Sequence, residues 1–257
     1  MPTSLSFDEH LAALDRASDR LVERAEAAGL DAPVPTCPTW TVAHLLAHQA
    51  MVHRWATANV CGEDPDGVPT QTAIREEVAH LPTYFREGAA TLHAVLRAAP
   101  PDLEAMRFLN DAPPPRQFWA RRQAHETTMH MVDAESAARG RFPTTAEVAI
   151  DPPLAADGLD ELLRGFFSRG KSKLFDGAEL TMVVAPSDVH RRWVAHVAER
   201  LTVEPGDGDT AGSPDVMLTG TAAGLYLALW NRGDDVEVTG QRDLVDRWHA
   251  TQRVTWS

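Results

Sequence analysis

The chain has 257 residues, 44% of them hydrophobic, and carries 37 acidic against 24 basic side chains, a formal charge of −13. That length and apolar content imply one large domain or two ordinary ones with real cores, and they argue against global disorder. The acidic balance excludes a sequence-independent binder of nucleic acid or anionic membrane, which needs a basic footprint. No apolar run reaches the roughly 18–20 residues of a membrane span. The N-terminal stretch has no basic segment followed by an apolar one, so no secretory signal is expected. Two cysteines, Cys37 and Cys61, cannot make a disulfide framework or a cysteine-rich zinc site. A cytoplasmic location is the expectation.

In chain order, Ser6 and Glu9 fit a capping box, and Leu11, Leu14, Leu21 and Val22 then share one face of a helix running to about Gly29. Pro33, Pro35 and Pro38 break the pattern. A second helix is expected from about Thr41 to Val60. A third runs from about Thr72 to Ala98 with an interruption near Pro82, and a fourth from about Gln117 to Ala138, ending before Gly140. Four long helices with proline-rich connections predict an antiparallel bundle over residues 1–150. From Asp151 the pattern changes. One helix is expected over Leu154 to Phe167. Short strands follow at Leu180–Val184, Trp193–His196, Leu201–Val203, Val216–Leu218 and Val236–Val238, with helices near Ala222–Trp230 and Arg242–Thr251. Residues 151–257 therefore read as a small α+β domain with a mainly antiparallel sheet, and the whole chain as α+β. No GxGxxG, P-loop or G-x-S-x-G motif occurs, so a nucleotide site or a serine hydrolase has no motif support.

The chemistry-bearing segment lies on the fourth helix, around His125-Glu126 and His130. It looks like the zincin H-E-x-x-H but has one residue too many. His125 and His130 stand about 140° apart on a helix of 3.6 residues per turn, so one ion cannot take both. Glu126 and His130, four apart, share a face, and Asp133, Arg122 and Trp119 fall on the same stripe. On the second helix His44 and His48 are also four apart. One of them, added to Glu126 and His130, completes a His₂Glu set with an open fourth position, the usual catalytic zinc arrangement. The competing interpretation of such pairs is a solvated helix face. His125 reads as a hydrogen-bonded structural or supporting histidine.

The run Cys37-Pro38-Thr39-Trp40-Thr41-Val42 through His44 to His48 resembles the C-P-G-W-T-V-x-D-L-V-x-H signature of the mycothiol-dependent maleylpyruvate isomerase family. Arg122 through His125-Glu126 and His130 to Asp133 resembles its R-x-x-H-E-x-x-x-H-x-x-D signature, and Leu225 to Trp248 is similar to its C-terminal domain. Thr39 stands where the family usually has Gly, and His44 where it often has Asp. The resemblance implies a DinB-like four-helix bundle followed by a small sterol-carrier-like α+β domain. It also implies a divalent metal, typically zinc, held by His48, Glu126 and His130, with mycothiol as the thiol cosubstrate. A small electrophilic substrate would then be isomerised or would take up the thiol. His125, Asp133 or His44 would accept a proton or orient a ligand, and Arg121 and Arg122 are candidates for a substrate carboxylate. Two other functions fit the same residues: a binding protein for an apolar ligand with a structural metal, and a metal hydrolase using bound water. Neither nucleic acid nor membrane is expected as a partner.

Overall fold

A computed structural model describes residues 5–206 and 213–252. Residues 1–4, part of the stretch read above for a secretory signal, lie outside the described residues. The chain divides into two compact units. One joins Pro113–Pro143 to the chain before Phe108; the other joins Phe108–Ala112 to the chain from Thr144 onward. The protein is α+β, with the helices first and the sheet after them.

The first unit contains α1 (Phe7–Ala28), α2 (Val42–Cys61), α3 (Gln71–Glu77), α4 (Leu81–Ala98) and α5 (Pro115–Arg139). At the start of α1, the Ser6 N–H donates to Glu9 Oε2 at 2.7 Å and the Glu9 N–H to Ser6 Oγ at 3.3 Å, so two otherwise orphaned amides are satisfied. Leu11, Leu14, Leu21 and Val22 are all buried, as their spacing requires. The proline-rich loop that follows is closed on itself: Val34 N–H donates to Trp40 O and Trp40 N–H to Cys37 O, and Pro33 bridges to Thr41. The helix expected over 72–98 is two helices. A proline ring clashes with the preceding turn and offers no amide, so Pro82 sits at the second position of α4, with His80 as its cap. Gly140, at φ +68°, closes α5 in the left-handed conformation that favours glycine.

The second unit begins with α6 (Thr145–Val148) and α7 (Pro152–Asp160). The single helix expected to Phe167 instead widens into a π-helical segment, Glu161–Phe166, whose end is marked by the Phe167 N–H donating to Leu162 O. Five strands follow: β1 (Leu180–Pro186), β2 (Arg192–Val197), β3 (Leu201–Gly206), β4 (Val216–Gly220) and β5 (Glu237–Gly240), in sheet order β3-β2-β1-β4-β5. Among the described residues, only the β1–β4 pairing is parallel, so the sheet is mainly antiparallel, and central β1 buries Met182, Val183 and Val184 in succession. The remaining helices are α8 (Ala222–Leu229) and α9 (Asp243–Thr251). Helix α8 approaches α7 closely because residue 158 is glycine: a Cβ there would overlap the Tyr226 ring. At the start of the π-helical segment, Trp193 Nε1 donates to Asp160 Oδ1 at 3.0 Å.

Candidate metal centre

Helix α5 is buried at every position from Phe118 to Ala137, although the sequence there is rich in polar residues. A helix buried all round with polar side chains must give each of them a partner, because an unpaired buried charge is costly. The positions of those partners define the site. Arg121 and Arg122, the candidates for a substrate carboxylate, are both buried. Arg122 Nη2 donates to Glu126 Oε2 at 2.9 Å, one turn along.

The other oxygen of Glu126 faces α2. Its Oε1 lies 3.3 Å from His130 Nε2 and 3.6 Å from His48 Nε2. The ligand atoms of His48, Glu126 and His130 all lie within 4.8 Å of one another. All three residues are buried, and neither His48 Nε2 nor Glu126 Oε1 has a hydrogen-bond partner. Two ligand atoms about 2.0–2.1 Å from one tetrahedral zinc stand about 3.3–3.4 Å apart. The spacings and the two unsatisfied buried atoms therefore fit a divalent cation held by this set.

The electrostatics agree with that fit. Burial would raise Glu126, but the His130 and His48 imidazoles and the Arg122 guanidinium hold its carboxyl well below the ordinary range. Burial lowers His48, so its ring stays neutral with a lone pair to offer. Burial would lower His130 too, but there the Asp133 and Glu126 carboxylates win and push it up to about 9. Asp133 Oδ2 lies 2.9 Å from His130 Nδ1, which fixes the ring with Nε2 toward Glu126. This carboxylate–imidazole pairing is the usual support for a metal-binding histidine.

Three side chains near the cluster come from the loop before α2; Trp40 and Cys37 belong to the first signature, whereas Thr36 was not singled out from sequence. Trp40 stacks on His130 (centroids 5.9 Å, planes 19° apart) and tilts over His48 at 5.0 Å. Thr36 donates to Asp133 Oδ1 at 2.6 Å, and Cys37 donates its S–H to Oδ2 at 3.5 Å. For Thr36 the one available signal was its position just upstream of the His-bearing helix, and the fold of a proline-rich loop cannot be read from periodicity.

His125 does not face the cluster. It packs edge-on against His10 of α1, ring centroids 6.0 Å apart, as its 140° offset from His130 demands. His44 closes the start of α2 instead of joining His48. Its Nδ1 lies 2.9 Å from Thr41 Oγ1, and Arg75 of α3 donates to its Nε2. Nδ1 also accepts from the Thr41 N–H at 3.2 Å, the reciprocal half of a capping box at the start of α2.

Residues 11–135 match the family described as the mycothiol maleylpyruvate isomerase N-terminal domain, and residues 153–247 match the C-terminal domain of that family. Comparison with curated protein sequences finds no match. A crystal structure of the mycothiol-dependent maleylpyruvate isomerase is similar with a TM-score of 0.62 at 18% identity, over 93% of this chain and 96% of that one. A histidine-to-alanine mutant described under the same enzyme name gives 0.64 at 17% identity over the same shares. At such identities the likeness is one of fold.

Proposed function

The chain belongs to the mycothiol maleylpyruvate isomerase family, and on that premise we propose that it is a metal-dependent enzyme that uses mycothiol to act on a small electrophilic substrate. The observation that carries this reading is the meeting of two unsatisfied buried atoms, His48 Nε2 and Glu126 Oε1, with His130 Nε2 around one point. In this reading His48, Glu126 and His130 are the ligands. A divalent ion there, zinc suiting a His₂Glu set best, supplies charge that keeps a thiol deprotonated at neutral pH.

The protein's own residues prepare that site. Arg122 takes one oxygen of Glu126 and leaves the other to face inward. Asp133 takes Nδ1 of His130 and leaves Nε2 free to bind. Trp40 covers both imidazoles and keeps water from that side. Cys37 points its S–H at Asp133, and in this reading the reacting sulfur is that of mycothiol. His125 packs against His10. The thiolate adds to an activated double bond. The adduct is an enolate: rotation about the resulting single bond and expulsion of the thiolate gives a cis–trans isomer, whereas protonation of the enolate carbon by water keeps the adduct and gives a transferase product. The metal chemistry is assigned to residues 1–150, with 151–257 as the accompanying α+β domain. Among the described residues, no helix is long and apolar enough to cross a membrane. Cys37 and Cys61 are not joined in a disulfide, which supports placement in the reducing cytoplasm.

The test is turnover of maleylpyruvate by zinc-loaded and zinc-stripped protein, with and without mycothiol. Turnover requiring both is expected. Turnover without the thiol contradicts the reading, and saturable binding of an apolar ligand with no turnover replaces it with a binding protein.

A further inference from the structure

The proposed ligands come from α2 and α5, but the loop before α2 also reaches the centre. It does so through Asp133, a fully buried carboxylate. Oδ2 of Asp133 faces His130 Nδ1 at 2.9 Å, and Oδ1 accepts from Thr36 Oγ1 at 2.6 Å. Thr36 Oγ1 also lies 2.9 Å from Ser136 Oγ, and Ser136 Oγ donates to the Asp133 backbone carbonyl at 2.8 Å. Each hydroxyl has one proton to give. The short Thr36 contact is charge-assisted, so its proton belongs to the carboxylate, and the Ser136 proton serves the other two acceptors.

A carboxylate held at one oxygen can turn about its Cβ–Cγ bond. Held at both, its plane is fixed, and so is the ring it orients. Thr36 is a firm anchor because its loop is closed by the Val34–Trp40 and Cys37–Trp40 main-chain bonds and because Thr36 is itself buried. We propose that Thr36 is a positioning residue of the metal centre, acting through Asp133 to hold His130 Nε2 toward Glu126. The inference rests on the metal reading above.

The test measures zinc affinity by competition with a chromophoric chelator, the visible spectrum of the cobalt-substituted protein, and melting of the metal-free protein by circular dichroism. Thr36→Val keeps the shape and removes the donor; Thr36→Ser keeps the donor. Loss of an orienting partner costs about 10–100-fold in metal affinity, so Thr36→Val is expected to weaken zinc binding by at least about tenfold and alter the cobalt spectrum. Thr36→Ser is expected to stay within about twofold of wild type on the same ground. Cys37→Ala controls for loop damage, since its 3.5 Å contact is weak. Wild-type affinity in Thr36→Val, or an equal loss in Cys37→Ala, overturns the proposal. Should Thr36→Val not fold without metal, Thr36→Ala must show the loss and Ser136→Ala must not; the reverse pattern overturns it. A wild-type protein that binds no zinc defeats the metal reading itself, whereas equal binding by wild type and Thr36→Val defeats only the role of Thr36.

Discussion

His48 and His53 stand five residues apart on α2 and meet two different surroundings on α5. His48 faces Glu126 and His130, while His53 faces Thr127, the next residue after that carboxylate. Both histidines are buried. His53 Nε2 lies 2.9 Å from Thr127 Oγ1 and from Gln49 Nε2, and Gln49 Nε2 donates to Thr127 Oγ1 at 3.1 Å. These partners are neutral, so burial dominates and pushes His53 down to about 3. The group leaves His53 Nδ1 and Gln49 Oε1 without hydrogen-bond partners, but it has no carboxylate to balance a cation. Around His48 a carboxylate oxygen and an imidazole nitrogen are left unsatisfied at one point. The lesson is that a buried histidine on a helix seam marks a latch or a ligand according to the charge opposite it.

The comparison breaks most directly if the two histidines prove interchangeable. His48→Ala removes a ligand, and zinc affinity should fall by more than about a hundredfold, beyond the loss of a supporting contact. Chelator competition reads this, and wild-type affinity would erase the distinction.

Proton competition has the next largest effect. Metal must displace the proton of His130, held up to about 9, but none from His48, which is shifted down. Zinc affinity should therefore rise about tenfold per pH unit between pH 6.5 and 9 and then level off. The metal-free protein should move the opposite way. A histidine whose folded value is raised adds stability that is whole below about 6.5 and is lost as pH passes about 9. Titrations of affinity and of denaturant stability that slope in the same direction would contradict this.

Arg122→Met should weaken zinc binding about tenfold, because Glu126 loses the partner that directs it. At the latch, Thr127→Val should leave zinc affinity within about threefold. It should still lower unfolding stability by about 1–3 kcal/mol, the cost of a stranded buried polar group. A latch variant that loses metal while keeping its stability would merge the two regions into one site.

Much of this site was legible in the sequence. The spacing of Glu126 and His130 put them on one face, and the same arithmetic turned His125 away, where it meets His10. Choosing between His44 and His48 was beyond spacing, since both share one stripe of α2. The family resemblance selected His48, and the structure shows His44 engaged with Thr41 and Arg75. The stacking of Trp40 on the imidazoles and the Thr36–Asp133 bond were not foreseen, because both depend on the path of an irregular loop. In the second unit, the π-helical segment at Glu161–Phe166 is short and buried at Glu161, Leu162, Leu163 and Gly165, so it has no one-sided pattern from which periodicity could report the extra residue in the turn.

The most direct measurement is zinc-edge X-ray absorption on the zinc-loaded protein before and after mycothiol is added. The account predicts two imidazole nitrogens and one carboxylate oxygen at about 2.0–2.2 Å, joined on addition of thiol by one sulfur at about 2.3 Å. A sulfur neighbour before any thiol is added, or none afterwards, would contradict it.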